Sequence, residues 1–181
     1  LPQWLAEQGL ANTTQLWQQL QVEPGWERAV EAVVGQRLHA LLVEDWQSIP
    51  RSIMDLPARA WFLRAKGAVA APQAKSSLSL MTKVHVLDEA LEPLVAELLT
   101  GYDTVASWDA ALQQASQASD TAFVVAEGHI AQAHQVLLYA EDTEQVGMLA
   151  RQQQIEQLAQ QVQRLTQRSA KATQQATQAR E

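Results

Sequence analysis

Apolar positions recur along this chain at two different spacings, and the change from one to the other divides it. The most regular stretch is residues 22–46. There Trp26, Ala29, Val30, Val33 and Val34 follow helical spacing, which leaves Glu27, Arg28 and Glu31 for the opposite face. Pro24 fits the first turn of such a helix, where its missing N–H would have no partner, and Gly35 suits the end. The apolar run 38–43 then reads as a buried strand, and 60–63 as a second. Ahead of them lie Trp4, Leu5, Leu10, Leu16, Trp17 and Leu20, broken by Gly9 and by Asn12-Thr13-Thr14. That pattern predicts two short helical turns with a loop between them. Residues 67–79, rich in Ala, Pro, Gly and Ser, read as a loop.

The same alternation returns further on. Leu91, Leu94, Val95 and Leu98 stripe one face of a helix over 88–99, and 104–105 is a short extended piece. Ser107 can cap a helix running through Ala110, Ala111, Leu112 and Ala115. Residues 121–126 read as a strand, Gly128 as a turn and 135–139 as another strand. Short strands mixed with helices predict an α+β (mixed α/β) fold. Beyond residue 145 the period changes. Met148, Ile155, Leu158, Val162 and Leu165, continued by Ser169, Ala172, Ala176 and Ala179, advance by alternating steps of 3 and 4 after Ile155. This is a heptad seam, whose apolar stripe must face a partner helix. No matching segment is evident in the chain.

Composition narrows the function classes. Of 181 residues, 47% are apolar, enough for a real core, so wholesale disorder is not expected. Cysteine is absent, which excludes a disulfide framework, a thiolate metal site and a cysteine nucleophile, and fits a reducing cytosol. No apolar run approaches the roughly 18 residues of a membrane span and no signal peptide is visible, so no membrane association is expected. A first residue other than Met, and a last one inside a helical pattern, read as a piece of something longer. The net charge of −7 is unevenly spread. Residues 51–83 carry six bases, Arg51, Arg59, Arg64, Lys66, Lys75 and Lys83, against Asp55 alone. Residues 84–150 hold eleven acids and no Lys or Arg, and 151–181 five bases against two acids. A basic block of this kind can meet nucleic acid, or the acidic block of another copy.

Candidate chemistry adds little. His129 and His134 are five apart, a spacing that puts them on opposite sides of a strand, and neither they nor His39 and His85 have a third ligand at a usual interval. Glu127-Gly128-His129 could pair an acid with an imidazole, yet no nucleophile or G-x-S-x-G elbow accompanies it. No G-x-x-x-x-G-K-[ST] phosphate loop occurs either, and Lys66-Gly67 has the wrong order. No catalytic residue, cofactor or metal is therefore expected. Among the six tryptophans, Trp17 and Trp26 belong to apolar patterns and are assigned to the core, and Trp61 with Phe62 is flanked by Arg59, Arg64 and Lys66.

Several clusters, taken in order, resemble the hinge domain of bacterial SMC (structural maintenance of chromosomes) proteins, especially the proteobacterial type. They are Trp4-Leu5 with Gly9-Leu10, Leu16-Trp17, VEPGWE at 22–27 with AVEAV at 29–33, and Gly35-x-Arg37-Leu38-x-Ala40. Arg59-Ala60-x-Phe62-Leu63, Val124-Val125-x-Glu127-Gly128 and Gln145-x-Gly147-x-Leu149-Ala150-Arg151 complete the set. The resemblance implies a two-lobed module, residues 1–86 and 87–145, followed by a coiled-coil arm segment, 146–181. It implies a homodimer at the tip of long antiparallel arms, with the partner helix of the seam in a missing N-terminal arm. It further implies chromosome condensation and segregation as the setting, a cytoplasmic, nucleoid-associated location, and ATPase heads outside this piece. By family position and strand character, the mating surface is expected at Trp61, Phe62 and Leu63 and at Ala133, Gln135, Val136, Leu137, Leu138 and Tyr139. DNA contact through Arg51, Arg59, Arg64, Lys66, Lys75 and Lys83 stands as a secondary function. One departure is notable: the family often carries glycines near the last strand of the second lobe, and none lies between Gly128 and Gly147 here. Without them backbones meet at longer range, although an open apolar strand can still add to a partner's sheet.

Overall fold

A computed structural model describes residues 2–49, 58–64 and 77–140, and residues 149, 151, 154, 155, 158, 159 and 161–168 of a C-terminal helix. Four further helices, α1 (Pro2–Glu7), α2 (Glu27–Val34), α3 (Glu92–Leu99) and α4 (Trp108–Ala115), combine with eight three-residue strands. The strands are β1 (Leu20–Val22), β2 (Leu41–Val43), β3 (Phe62–Arg64), β4 (Val84–Val86), β5 (Tyr102–Thr104), β6 (Ala122–Val124), β7 (Ile130–Gln132) and β8 (Gln135–Leu137). The expected mixture of helix and strand is what forms.

Three small sheets organise these pieces. β1 pairs with β4 antiparallel, β2 with β3 parallel, and β5-β6-β7-β8 form a four-stranded sheet in that order. Within the last sheet β5 and β6 run parallel and the other neighbours antiparallel. Single bridges from Gln15 to Leu41 and from Ser79 to Asp103 extend two of them. The main core takes Leu16, Leu20 and Val22, then Val30 and Val34 of α2, Val84 and Val86, Leu94, Val95 and Leu99 of α3, and finally Val124, Ile130 and Leu149. It thus draws on residues from both sides of position 86. A second cluster packs Ala111 and Ala115 of α4 against Phe123, Val125 and Ala131, and a third joins Trp4 and Leu5 to Leu41. Strand alternation explains how β6 serves two layers: Ala122 and Val124 enter the main core while Phe123 enters the second.

Local chemistry sets the element ends. Ser107 caps α4 by accepting from the Ala110 N–H at 3.2 Å, as expected. Asp88 accepts from Ala90 N–H at the 3-10 turn Glu89–Leu91, which leads directly into α3. The expected helix over 88–99 is therefore a 3-10 turn followed by α-helix. Gly35 ends α2 at φ 57°, in the position assigned to it. Pro24 differs from expectation: it lies in a turn before α2, not in its first turn. Gly25 at φ 94° bends the chain there, and its N–H donates to Glu27 Oε2 at 2.8 Å.

The apolar run 38–43 also divides differently. A 3-10 turn, Gly35–His39, holds Leu38, and only Leu41–Val43 is strand, because α2 must reverse before the chain can pair with β3. Strands β1, β4 and β7 go beyond the sequence expectation. Each is three residues long, too short for alternation to stand out. The assigned loop 67–79 lies largely outside the described residues.

Candidate functional site

Each sheet that carries an expected mating residue leaves a strand edge open among the described residues. β8 is the last strand of its sheet, and its register against β7 pairs Ile130 with Leu137, Ala131 with Val136 and Gln132 with Gln135. Its apolar side chains stay in water: Val136 is 56% exposed, Leu137 47%, and Leu138 just beyond it 65%. Ala133 and His134 form the turn into β8, so His129 and His134 do not share a strand. Gln135 Nε2 donates to Gln132 Oε1 across that turn. Apolar edges with unpaired backbone are unfavourable to leave bare, which makes this strand a template for added structure.

The second expected patch is less uniform. Trp61 is exposed at 41%, with the Arg37 guanidinium 5.7 Å from its ring centroid. Phe62 is half-buried against the Trp4–Leu5–Leu41 cluster, and Leu63 against the main core. The structure thus turns one of these three residues outward and uses the other two partly for packing. At the other end of the β2–β3 pair, Arg64 lies 5.6 Å from the ring of Trp46, itself 51% exposed.

The basic residues do not form one field. Arg59 Nη1 donates to Gln36 Oε1 at 3.0 Å beside a cavity of about 530 Å³ whose lining includes His39, Leu41 and Trp61. Lys83 is committed elsewhere: its Nζ reaches Glu23 Oε2 at 2.9 Å and lies 5.5 Å from the Trp26 ring. Arg51, Lys66 and Lys75 lie outside the described residues. Trp17 and Trp26, assigned to the core, are half-buried on its flank.

The seam of the C-terminal helix faces solvent. Ile155 is 60% exposed, Leu158 52%, Val162 62% and Leu165 63%, while Met148 lies outside the described residues. Four large apolar side chains on one helix, all in water, mark a surface built for another helix.

One site runs against the sequence pattern. Glu31, assigned to the solvent face of α2, is buried at 7% exposure. Its Oε2 accepts from the Tyr139 hydroxyl at 2.9 Å and its Oε1 from the Leu149 backbone N–H at 2.8 Å. Burying a carboxylate is strongly unfavourable unless its lone pairs are met, and here donors from 108 and 118 residues away meet both oxygens. Local periodicity carries no trace of partners so distant. Tyr139 is held from a second side, since its N–H donates to His129 Nδ1 at 3.0 Å, and that imidazole packs edge-on against Trp108. Gly128 lets these parts meet. At φ 91°, a Cβ there would fall 2.9 Å from both the Arg28 carbonyl oxygen and Tyr139 Cγ.

Known proteins resemble this chain in sequence and in fold. Residues 12–115 match the family model described as SMC proteins Flexible Hinge Domain. The chain is 40% identical over 164 residues to the Chromosome partition protein Smc of Bordetella petrii, covering 87% of this chain and 14% of the relative. It is 37% identical over 160 residues to the protein of that name from Burkholderia pseudomallei, covering 86% and 14%. The chain therefore spans about one-seventh of the length of these relatives. Among solved structures, an asymmetric dimer of the Geobacillus stearothermophilus SMC hinge domain aligns with TM-score 0.68 and 18% identity, over 92% of this chain and 81% of that one. The Pyrococcus furiosus Smc hinge domain with an extended coiled coil gives 0.60 and 18%, over 91% and 64%.

Proposed function

The chain belongs to the SMC flexible hinge family, and from that premise we propose that it joins two copies of its parent protein as a homodimer at the tips of their coiled-coil arms. The observation that carries this reading is the open edge of β8, with Val136, Leu137 and Leu138 bare. A partner strand laid there satisfies backbone groups and removes apolar area in one step. The patch around Trp61, Phe62 and Leu63 is the second half of the mating surface. A two-fold dimer can set the basic block of each copy against the acidic block of the other. In this reading the lobes, 1–86 and 87–145, share a core, and the exposed seam from Ile155 to Leu165 receives an antiparallel helix of the N-terminal arm. The parent protein works at the nucleoid in chromosome condensation and segregation, with ATP hydrolysed by head domains, no bond chemistry at the hinge and no cofactor bound to it.

Sedimentation at tens of micromolar tests this. A mass near twice the 20.0 kDa of the chain is expected, and a steady single-chain mass, also after a helix matching the seam is supplied, overturns it. A second reading, weak DNA contact, is favoured by exposed Arg59 and Arg64 beside Trp61 and Trp46 and by the cavity at Arg59. Binding should fall steeply with added salt and drop when Arg59 and Arg64 are both reversed to Glu. Affinity indifferent to either change removes this reading.

A further inference from the structure

We propose that Glu31 is a positioning residue that makes the open edge strand and the C-terminal helix a single mechanical unit. The proposal rests on the geometry around its carboxylate and is independent of what docks on β8.

Three segments converge on this side chain. α2 supplies the carboxylate from its buried face, beside Ala29, Val30 and Val34. Leu138 is the most exposed apolar residue of the β8 edge, and its neighbour Tyr139 sends a hydroxyl to Oε2. The helix sends the N–H of Leu149, itself 3% exposed and part of the main core, to Oε1. The edge is thus anchored one residue past Leu138, and the helix at Leu149, on two oxygens of one rigid, planar group. A shift of either segment must rotate or translate that group, and so disturb the bond to the other.

The surroundings leave little slack. Tyr139 is tied at its other end to His129 Nδ1, and its ring lies against Gly128, where there is no room for a methyl group. Motion of the edge cannot be taken up by the tyrosine alone. Coupling here runs through a contiguous chain of bonds, edge to Tyr139 to Glu31 to Leu149, and a network of that kind is demonstrated only by perturbing one end and reading the other.

Hydrogen exchange of the whole chain supplies such a reading. Tyr139→Phe removes the hydroxyl alone and leaves Glu31 Oε1, the acceptor of the Leu149 N–H, in place. If the two anchors are coupled, backbone exchange should quicken about tenfold or more both in residues 135–140 and in 149–155. Strand β1, anchored elsewhere in the core, should be unchanged. Glu31→Met, which keeps the length of the side chain and removes both acceptors, should quicken both segments further. Exchange that rises only in 135–140 in the Tyr139→Phe variant overturns the proposal. Equal acceleration in all segments, β1 included, also overturns it, since that is a general loss of stability. Sedimentation of the same samples keeps the two readings apart. A dimer lost without change at 149–155 defeats the coupling and leaves the dimer reading standing, whereas a single-chain parent in which both segments still respond does the reverse.

Discussion

β6 and β8 lie in the same four-stranded sheet, each three residues long, and their fates are opposite. Ala122, Phe123 and Val124 are all buried, since β6 has a strand on either side, the main core on one face and α4 on the other. Gln135, Val136 and Leu137 are all exposed, with a neighbour on one side only among the described residues. Residue type does not separate them, because valine occurs in both. Place in the sheet does, and the chain has left apolar side chains at its rim where charges or proline would ordinarily guard against pairing. Such a rim is a liability in a lone molecule and an asset in one that is to be joined.

Substitutions can break this contrast. The largest effect is expected for Val124→Asp, which sets an unpaired carboxylate in a fully buried position and should cost more than about 4 kcal/mol. A urea titration followed by circular dichroism should then lack the cooperative transition of the parent chain, and a normal midpoint would show that β6 is not the closed strand described. Leu138→Lys should do the opposite: unfolded at a protein concentration low enough for the parent to be monomeric, the variant stays within about 0.5 kcal/mol of it, while the dimer dissociation constant in sedimentation rises about a hundredfold or more. Stability lost with the dimer unchanged would assign this rim to the monomer's own packing. Lys83→Met sharpens the comparison at the β1–β4 pair. There a half-exposed ion pair with Glu23 and the Trp26 ring should contribute at most about 1 kcal/mol, measurable in the same titration and smaller still in high salt.

Much of the fold is legible in the amino-acid pattern, for reasons that differ between elements. α2, α3 and α4 show one apolar stripe each, and residues whose chemistry is local mark their limits: Gly35 ends α2, Asp88 caps the 3-10 turn that leads into α3, and Ser107 caps α4. Strands of three residues are another matter. Leu20–Val22 and Val84–Val86 give no alternation long enough to register, and their pairing joins residues 66 apart in sequence, Leu20 with Val86. The candidate rim is legible at Val136, Leu137 and Leu138 as an apolar run without a covering helix. Glu31 is not, because a carboxylate among alternating faces looks like a surface group until its donors are seen. Lys83 misleads in the opposite sense: charge alone places it in a basic field, and Glu23 takes it out.

The burial of Leu149 also bears on how the protein is made. Polypeptide leaves the ribosome from its N-terminus, so α2, α3 and the eight described strands all emerge before Leu149, the last described residue of the main core. During synthesis the main core therefore waits, unfinished, for Leu149 of the C-terminal helix. A nascent chain halted at residue 140 would have all eight described strands without Leu149 to seal their core, and Glu31 would lack the backbone donor to its Oε1.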